Sequence, residues 1–370
     1  MKKLILFILL VGTFVGCSKT DTPTVTPTPT KSSANNIKTF ELGSLNPKVS
    51  ATIDDSKQTI TAIVPFGTDL RTIAPTITVS DKATVSPSTA TVNDLSLLTS
   101  YTVTAEDGSA KIYTVSIEPE TRLLFYNTAK GSITVTDNKT FTSIGTNTQG
   151  TNWTSIVSIR PNQILFYDSK TGKSLTVDNK TFATISESVT EPNLENPQVF
   201  NGYVLFFDSK NLFWYFKDGM TLNTIFKFPS VAGTNKSSNA IGSKKDRYIS
   251  YSPVDGTGVL VDIKSRQQIG NVETNFGKNW TNLVGADEAV LAYNSATGAA
   301  RIFSQESPFS TLKDFTMASG WTIIINVGNS QVLFFNSKTG ESMLTDDKTF
   351  TKVAATFPTT TGTWTHVAAL

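Results

Sequence analysis

The sequence has almost no cysteine and almost no histidine: Cys17 and His366 are the only ones in 370 residues. No internal disulfide can form, and no Cys/His cluster is available to hold zinc. Apolar residues at helical spacing are missing over any useful length, so no phosphate-binding glycine loop opening a helix is expected. No Gly-x-Ser-x-Gly elbow occurs. An excess of charge of one sign is missing as well, with 32 Lys and Arg against 30 Asp and Glu. That balance gives no electrostatic footprint for nucleic acid. These absences lead to the expectation of a chain that is not an enzyme and needs no cofactor or metal.

What is present begins with a leader. Lys2 and Lys3 precede a short apolar run that ends at Phe14-Val-Gly-Cys17. The run is too short for a comfortable membrane span and reads as a signal peptide. Its end resembles a bacterial lipobox, which implies cleavage before Cys17 and acylation of that residue. Several acyl chains would hold the protein firmly to a membrane, because one alone is marginal. Without Lys2 and Lys3 the basic side chains equal the 30 acidic ones. Residues 17–36 are rich in Pro, Thr and Ser. They cannot bury a core and are expected to be an extended tether.

From 37 to 119, short alternating runs such as Thr59-Ile-Thr-Ala-Ile-Val64 and Ile112-Tyr-Thr-Val-Ser-Ile117 are separated by turn residues. This spacing predicts a small β-sandwich. Asp107-Gly108 marks a hairpin, since that pair tolerates positive φ. Pro65-Phe-Gly-Thr-Asp-Leu70, Ala83-Thr-Val-Ser-Pro87 and Tyr101-Thr-Val-Thr-Ala-Glu-Asp-Gly108 resemble the Ig-like modules of Bacteroidota envelope lipoproteins. The resemblance implies a spacer with no catalytic residues.

From 122 to 370 one pattern recurs. Leu123-Leu-Phe-Tyr-Asn127, Ile164-Leu-Phe-Tyr-Asp168, Val204-Leu-Phe-Phe-Asp208, Val290-Leu-Ala-Tyr-Asn294 and Val332-Leu-Phe-Phe-Asn336 are five copies, and Tyr248-Ile-Ser-Tyr-Ser252 is a worn sixth. The copies are 40–44 residues apart, with four strand-like pieces per period. That is the pattern of a β-propeller blade. The turn Asp168-Ser-Lys-Thr-Gly172 fits a hairpin loop capped by its Asp. It lacks the alternating acidic ligands of a calcium loop. A strand beginning Trp-Thr precedes several copies, at Trp153, Trp280 and Trp321, and is absent before the first. It recurs as Trp364-Thr-His-Val367 at the end of the chain. The last strand is therefore expected to pair with 123–127 and close a six-bladed ring. The expected fold class is all-β: an Ig-like sandwich over 37–119, then a six-bladed propeller over 122–370.

Each periodic Trp is either a wedge between blades or an aromatic platform for a sugar. Trp214 and Tyr215, in Leu212-Phe-Trp-Tyr-Phe216, belong to no column. They are either part of an aromatic-rich core strand or a local ligand platform, and they are the candidate ligand-binding residues. His366 is assigned a structural role in the closing strand. The repeats resemble those of secreted bacterial propellers and, more remotely, tectonin- and tachylectin-type lectin propellers. The expected function is a lipid-anchored envelope protein, on the outer membrane, that binds glycan through the propeller. The alternatives are a polysaccharide hydrolase or lyase, and a protein scaffold in an envelope complex.

Overall fold

A computed structural model describes residues 30–370, apart from 90–93, 96–98, 160–161, 201–202, 220, 230–237, 242–246, 263–264, 266, 275, 287–288, 306–308, 329 and 354–363. The leader, Cys17 and most of the tether lie outside the described residues. Among these residues, the one helical element is a 3-10 turn at Leu70–Thr72. No helix there is long and apolar enough to cross a membrane.

The N-terminal unit is two facing sheets. One has three strands, with Ile37–Leu42 between Val49–Ser50 and Thr76–Val79. The other has five, with Ala110–Pro119 at its centre. Alternation puts Tyr113, Val115 and Ile117 inward, where they meet Phe40, Leu42, Ile60 and Tyr101 from other strands. Asp107-Gly108 turns the hairpin between Thr99–Thr104 and Ala110–Pro119, with Gly108 at φ 90°.

Six further sheets follow. The second strand of each, such as Arg122–Tyr126 or Gln163–Tyr167, is buried over nearly its whole length. A sheet covered on both faces requires a continuous apolar run, which is why these copies do not alternate. The fourth strands are the opposite, and every residue of Thr184–Val189 is exposed. Each of the six blade interfaces has its own apolar cluster. Burying one Leu or Phe side chain is worth roughly 1.5–3 kcal/mol, so these clusters and not the sheet edges hold the ring together.

The ring is closed. The inner strands Ser155–Ile159, Leu194–Phe200, Ser238–Ile241, Asn282–Gly285, Ile323–Gly328 and His366–Ala369 each touch the next, and the last touches the first. His366–Ala369 pairs antiparallel with the first blade, His366 facing Tyr126 and Ala369 facing Leu123. The C-terminal strand therefore completes the blade that the chain began 240 residues earlier. Blade six has three described strands and a bridge between Thr345 and Lys352.

Small polar motifs fix each blade. Asp168 accepts from the Lys170 amide (3.0 Å) and the Thr171 hydroxyl (2.6 Å), while Gly172 sits at φ 74°. A Cβ on Gly172 would lie 2.2 Å from the Thr190 carbonyl oxygen, so only glycine fits. The Thr of each Trp-Thr pair is a clasp: Thr154 donates its hydroxyl to the Tyr167 carbonyl and accepts from the Ser169 amide. Thr281 and Thr322 repeat this in their blades. The four repeat tyrosines reach the following loop, Tyr126 donating to the Gly150 carbonyl, Tyr167 to Glu191, Tyr251 to Gly277 and Tyr293 to Ala318.

The two units touch. Phe66 packs against the cluster between blades one and two, with the Arg122 guanidinium 4.3 Å from its ring centroid. Lys180 donates to the Gly67 carbonyl at 2.9 Å.

Candidate functional site

Trp214 and Tyr215 are neighbours in Phe213–Asp218, the third strand of blade three. Alternation sends them to opposite faces. Trp214 is only 1% exposed. Phe207 and Tyr248 lie 4.7 and 5.8 Å from its ring centre, in the core between blades three and four. It has no face left for a ligand. The expected platform is corrected on this point: Trp214 is a core residue, because the blade-four side of this strand is covered. Tyr215 is half-buried on the other side, against the interface of blades two and three. The ammonium groups of Lys217 and Lys227 lie 5.8 and 5.9 Å from its ring centroid.

The periodic tryptophans are wedges. Trp153, Trp280, Trp321 and Trp364 each pack in or against an interblade cluster. Trp280 and Trp321 are 9% and 8% exposed.

The interface of blades two and three is built differently. Asn193 takes the place of Asn152 and Asn279, all three at positive φ and each donating its amide to the turn of the preceding blade. The next residue is then Leu194, where the sister interfaces have Trp153 and Trp280. Glu191 stands where the repeat tyrosines elsewhere reach Gly150, Gly277 and Ala318. Lys217 faces Val204 in the register that elsewhere holds Thr136, Val177, Val261, Phe303 and Thr345.

An open cleft of ≈ 370 Å³ lies here, lined by Val189, Thr190, Glu191, Lys217, Asn223 and Thr224 among others. The Lys217 side chain is 2% exposed. Its ammonium donates to Glu191 Oε2 at 2.5 Å, to Thr224 Oγ1 at 3.0 Å and to the Leu222 carbonyl at 3.1 Å. All three of its hydrogens are used. The Glu191 side chain is 43% exposed and also accepts from the Thr224 hydroxyl at 3.2 Å. Burial alone would raise the Glu191 carboxyl, but the hydrogen bond and charge of Lys217 outweigh it and hold the group below its ordinary range. The cleft thus presents an ionised carboxylate with spare lone pairs toward solvent. Among the described residues no group of three His, Cys, Asp or Glu is placed to hold a metal ion.

The sequence did not single out Glu191 or Lys217. A signal existed, because aligning the periods puts one lysine in a column otherwise filled by Thr, Val and Phe.

Residues 37–117 match the family model described as SGBP, N-terminal. The match covers the first folded unit and not the propeller. No curated protein matches the sequence. Among solved structures, the chain is similar to one in a nidogen/laminin complex, at 10% identity and a TM-score of 0.51, over 67% of this chain and 98% of that one. A protein of unknown function from Bacteroides caccae matches at 9% identity and 0.46, over 68% and 99%. The β-propeller domain of Myceliophteria thermophila Cps50 (Swd1) matches at 13% and 0.45, over 64% and 85%. At these identities the first likeness bears on fold alone.

Proposed function

We propose that this chain is a non-enzymatic glycan-binding protein of the cell envelope, anchored by lipid on Cys17, with the sandwich as stalk and the propeller as recognition part.

 The observation that carries this reading is the match of residues 37–117 to the N-terminal domain of SGBP, the surface glycan-binding proteins. The leader ending at Cys17 supports the anchor, and the surface glycan-binding family supports a place at the outer membrane. A closed ring that displays a polar cleft supports a binding role for the propeller.

The test is a glycan array probed with the purified chain, run beside an assay for released reducing ends. The expected result is binding to at least one glycan class with no release. Release of reducing ends would overturn the reading in favour of a hydrolase. Silence on the array, with a specific envelope protein captured from solubilised membranes, would overturn it in favour of a scaffold.

A further inference from the structure

The cleft between blades two and three combines three departures from its sister interfaces: Glu191 for Gly or Ala, Lys217 for Thr, Val or Phe, and Leu194 for Trp. A blade interface can close without them: where the equivalent positions are described, the others have Gly or Ala for Glu191, Thr, Val or Phe for Lys217, and Trp153 or Trp280 for Leu194. Burying an ammonium carries a desolvation penalty, and an apolar side chain of similar volume generally serves stability as well or better. Lys217 nonetheless spends all three hydrogens on Glu191, Thr224 and the Leu222 carbonyl. The effect is to hold one carboxylate in a fixed place at the mouth of an open cleft.

We propose that this cleft is a binding site for an uncharged, hydroxyl-rich ligand, a neutral sugar residue of a glycan; the proposal rests on the glycan-binding reading above. A carboxylate has about four lone-pair sites, and Lys217 and Thr224 occupy two. The remaining acceptors face solvent from a side chain that is 43% exposed. Asn223 is exposed beside them and brings an amide that can both donate and accept. Adjacent hydroxyls of a sugar both donate and accept, so one can donate to Glu191 while its neighbour pairs with Asn223. An acidic sugar would set its carboxylate against that of Glu191, while Lys217, the cation lining the cleft, is buried and fully used.

The experiment is calorimetric titration of the purified full-length chain with neutral gluco-, manno- and xylo-oligosaccharides and with oligogalacturonate. The variants are Asn223→Ala and the double variant Glu191→Gln with Lys217→Met, which avoids leaving a buried charge unpaired. Neutral oligosaccharide should bind the parent chain. Binding should weaken about three- to tenfold in Asn223→Ala and about tenfold or more in the double variant, the losses expected for a neutral and a charge-assisted hydrogen bond. Asn223 is exposed, so its variant decides the matter if the double variant does not fold. Neutral oligosaccharide binding that is equal in the parent and Asn223→Ala would overturn this site and leave the glycan-binding reading intact. Tighter binding of oligogalacturonate would overturn the ligand class. No binding of any oligosaccharide would overturn the site and count against the glycan-binding reading with it.

Discussion

The imidazole Nε2 of His366 lies 2.9 Å from the carbonyl oxygen of Thr154, joining the last strand of the chain to the entry of the second blade. A carbonyl can only accept, so Nε2 carries the proton, which leaves Nδ1, 2.9 Å from the Thr365 hydroxyl oxygen, unprotonated in the neutral ring. Burial lowers the pKa of this imidazole below its ordinary 6.5, and the bond to Thr154 offsets only part of that shift. The folded state therefore takes up the proton less readily than the unfolded chain. Its contribution to stability is complete above pH 6.5 and is lost as pH falls from there through the folded value.

Thermal melts between pH 7.5 and 5 check this. The parent should lose at most about 1.4 kcal/mol per pH unit through this group. The His366→Gln variant should lose less over the same interval, because His366 is the only histidine in the chain. Parallel curves for the two proteins would count against the assignment.

Trp214→Ala should lower stability by about 3–5 kcal/mol, the usual effect of emptying a buried aromatic site. Tyr215→Ala, on the half-buried side of the same strand, should lower it less. Paired melts distinguish the enclosed from the half-buried of these two adjacent residues.

Gly172→Ala should destabilise by about 1–3 kcal/mol, since φ is 74° and the new methyl would lie 2.2 Å from the Thr190 carbonyl oxygen. Gly145→Ala is the control: no atom lies within 4 Å of a Cβ there. It should be close to neutral in the same melts.

Phe66→Ser with Lys180→Ala should release the sandwich from the propeller, because these side chains carry the ring contact with Arg122 and the bond to Gly67. Small-angle scattering should show a larger radius of gyration than the parent, with the melting of the propeller little changed.

The ring was legible in the sequence because its signal is local and repeated. Each second strand is buried on both faces and so reads as an apolar run, and the Trp-Thr strand missing before Leu123 reappears at Trp364. The turn columns were legible for the same reason: Asp168 and Gly172 act within five residues of one another. The cleft was not legible. Glu191 and Lys217 are 26 residues apart and belong to different blades, and their meeting depends on how one blade leans on the next. Nor does alternation say which face of Phe213–Asp218 a neighbour covers. Trp214 and Tyr215 could be separated by face, but only packing shows that Trp214 is the enclosed one.

Closure of the ring by the C-terminal strand is the claim on which the shape of the propeller, and hence of its cleft, depends. Removing residues 364–370 should expose the edge of Arg122–Tyr126 and lower the melting temperature sharply, with aggregation.

The most direct measurement is a cross-link. Leu123 and Ala369 face one another in the register of the first and last propeller strands, so cysteines at these two positions, in a chain carrying Cys17→Ser, are within reach of a disulfide. The account predicts that mild oxidation joins them within the folded monomer, seen as a mobility shift reversed by reductant and as a raised melting temperature. Two free thiols in the folded, oxidised protein would contradict it.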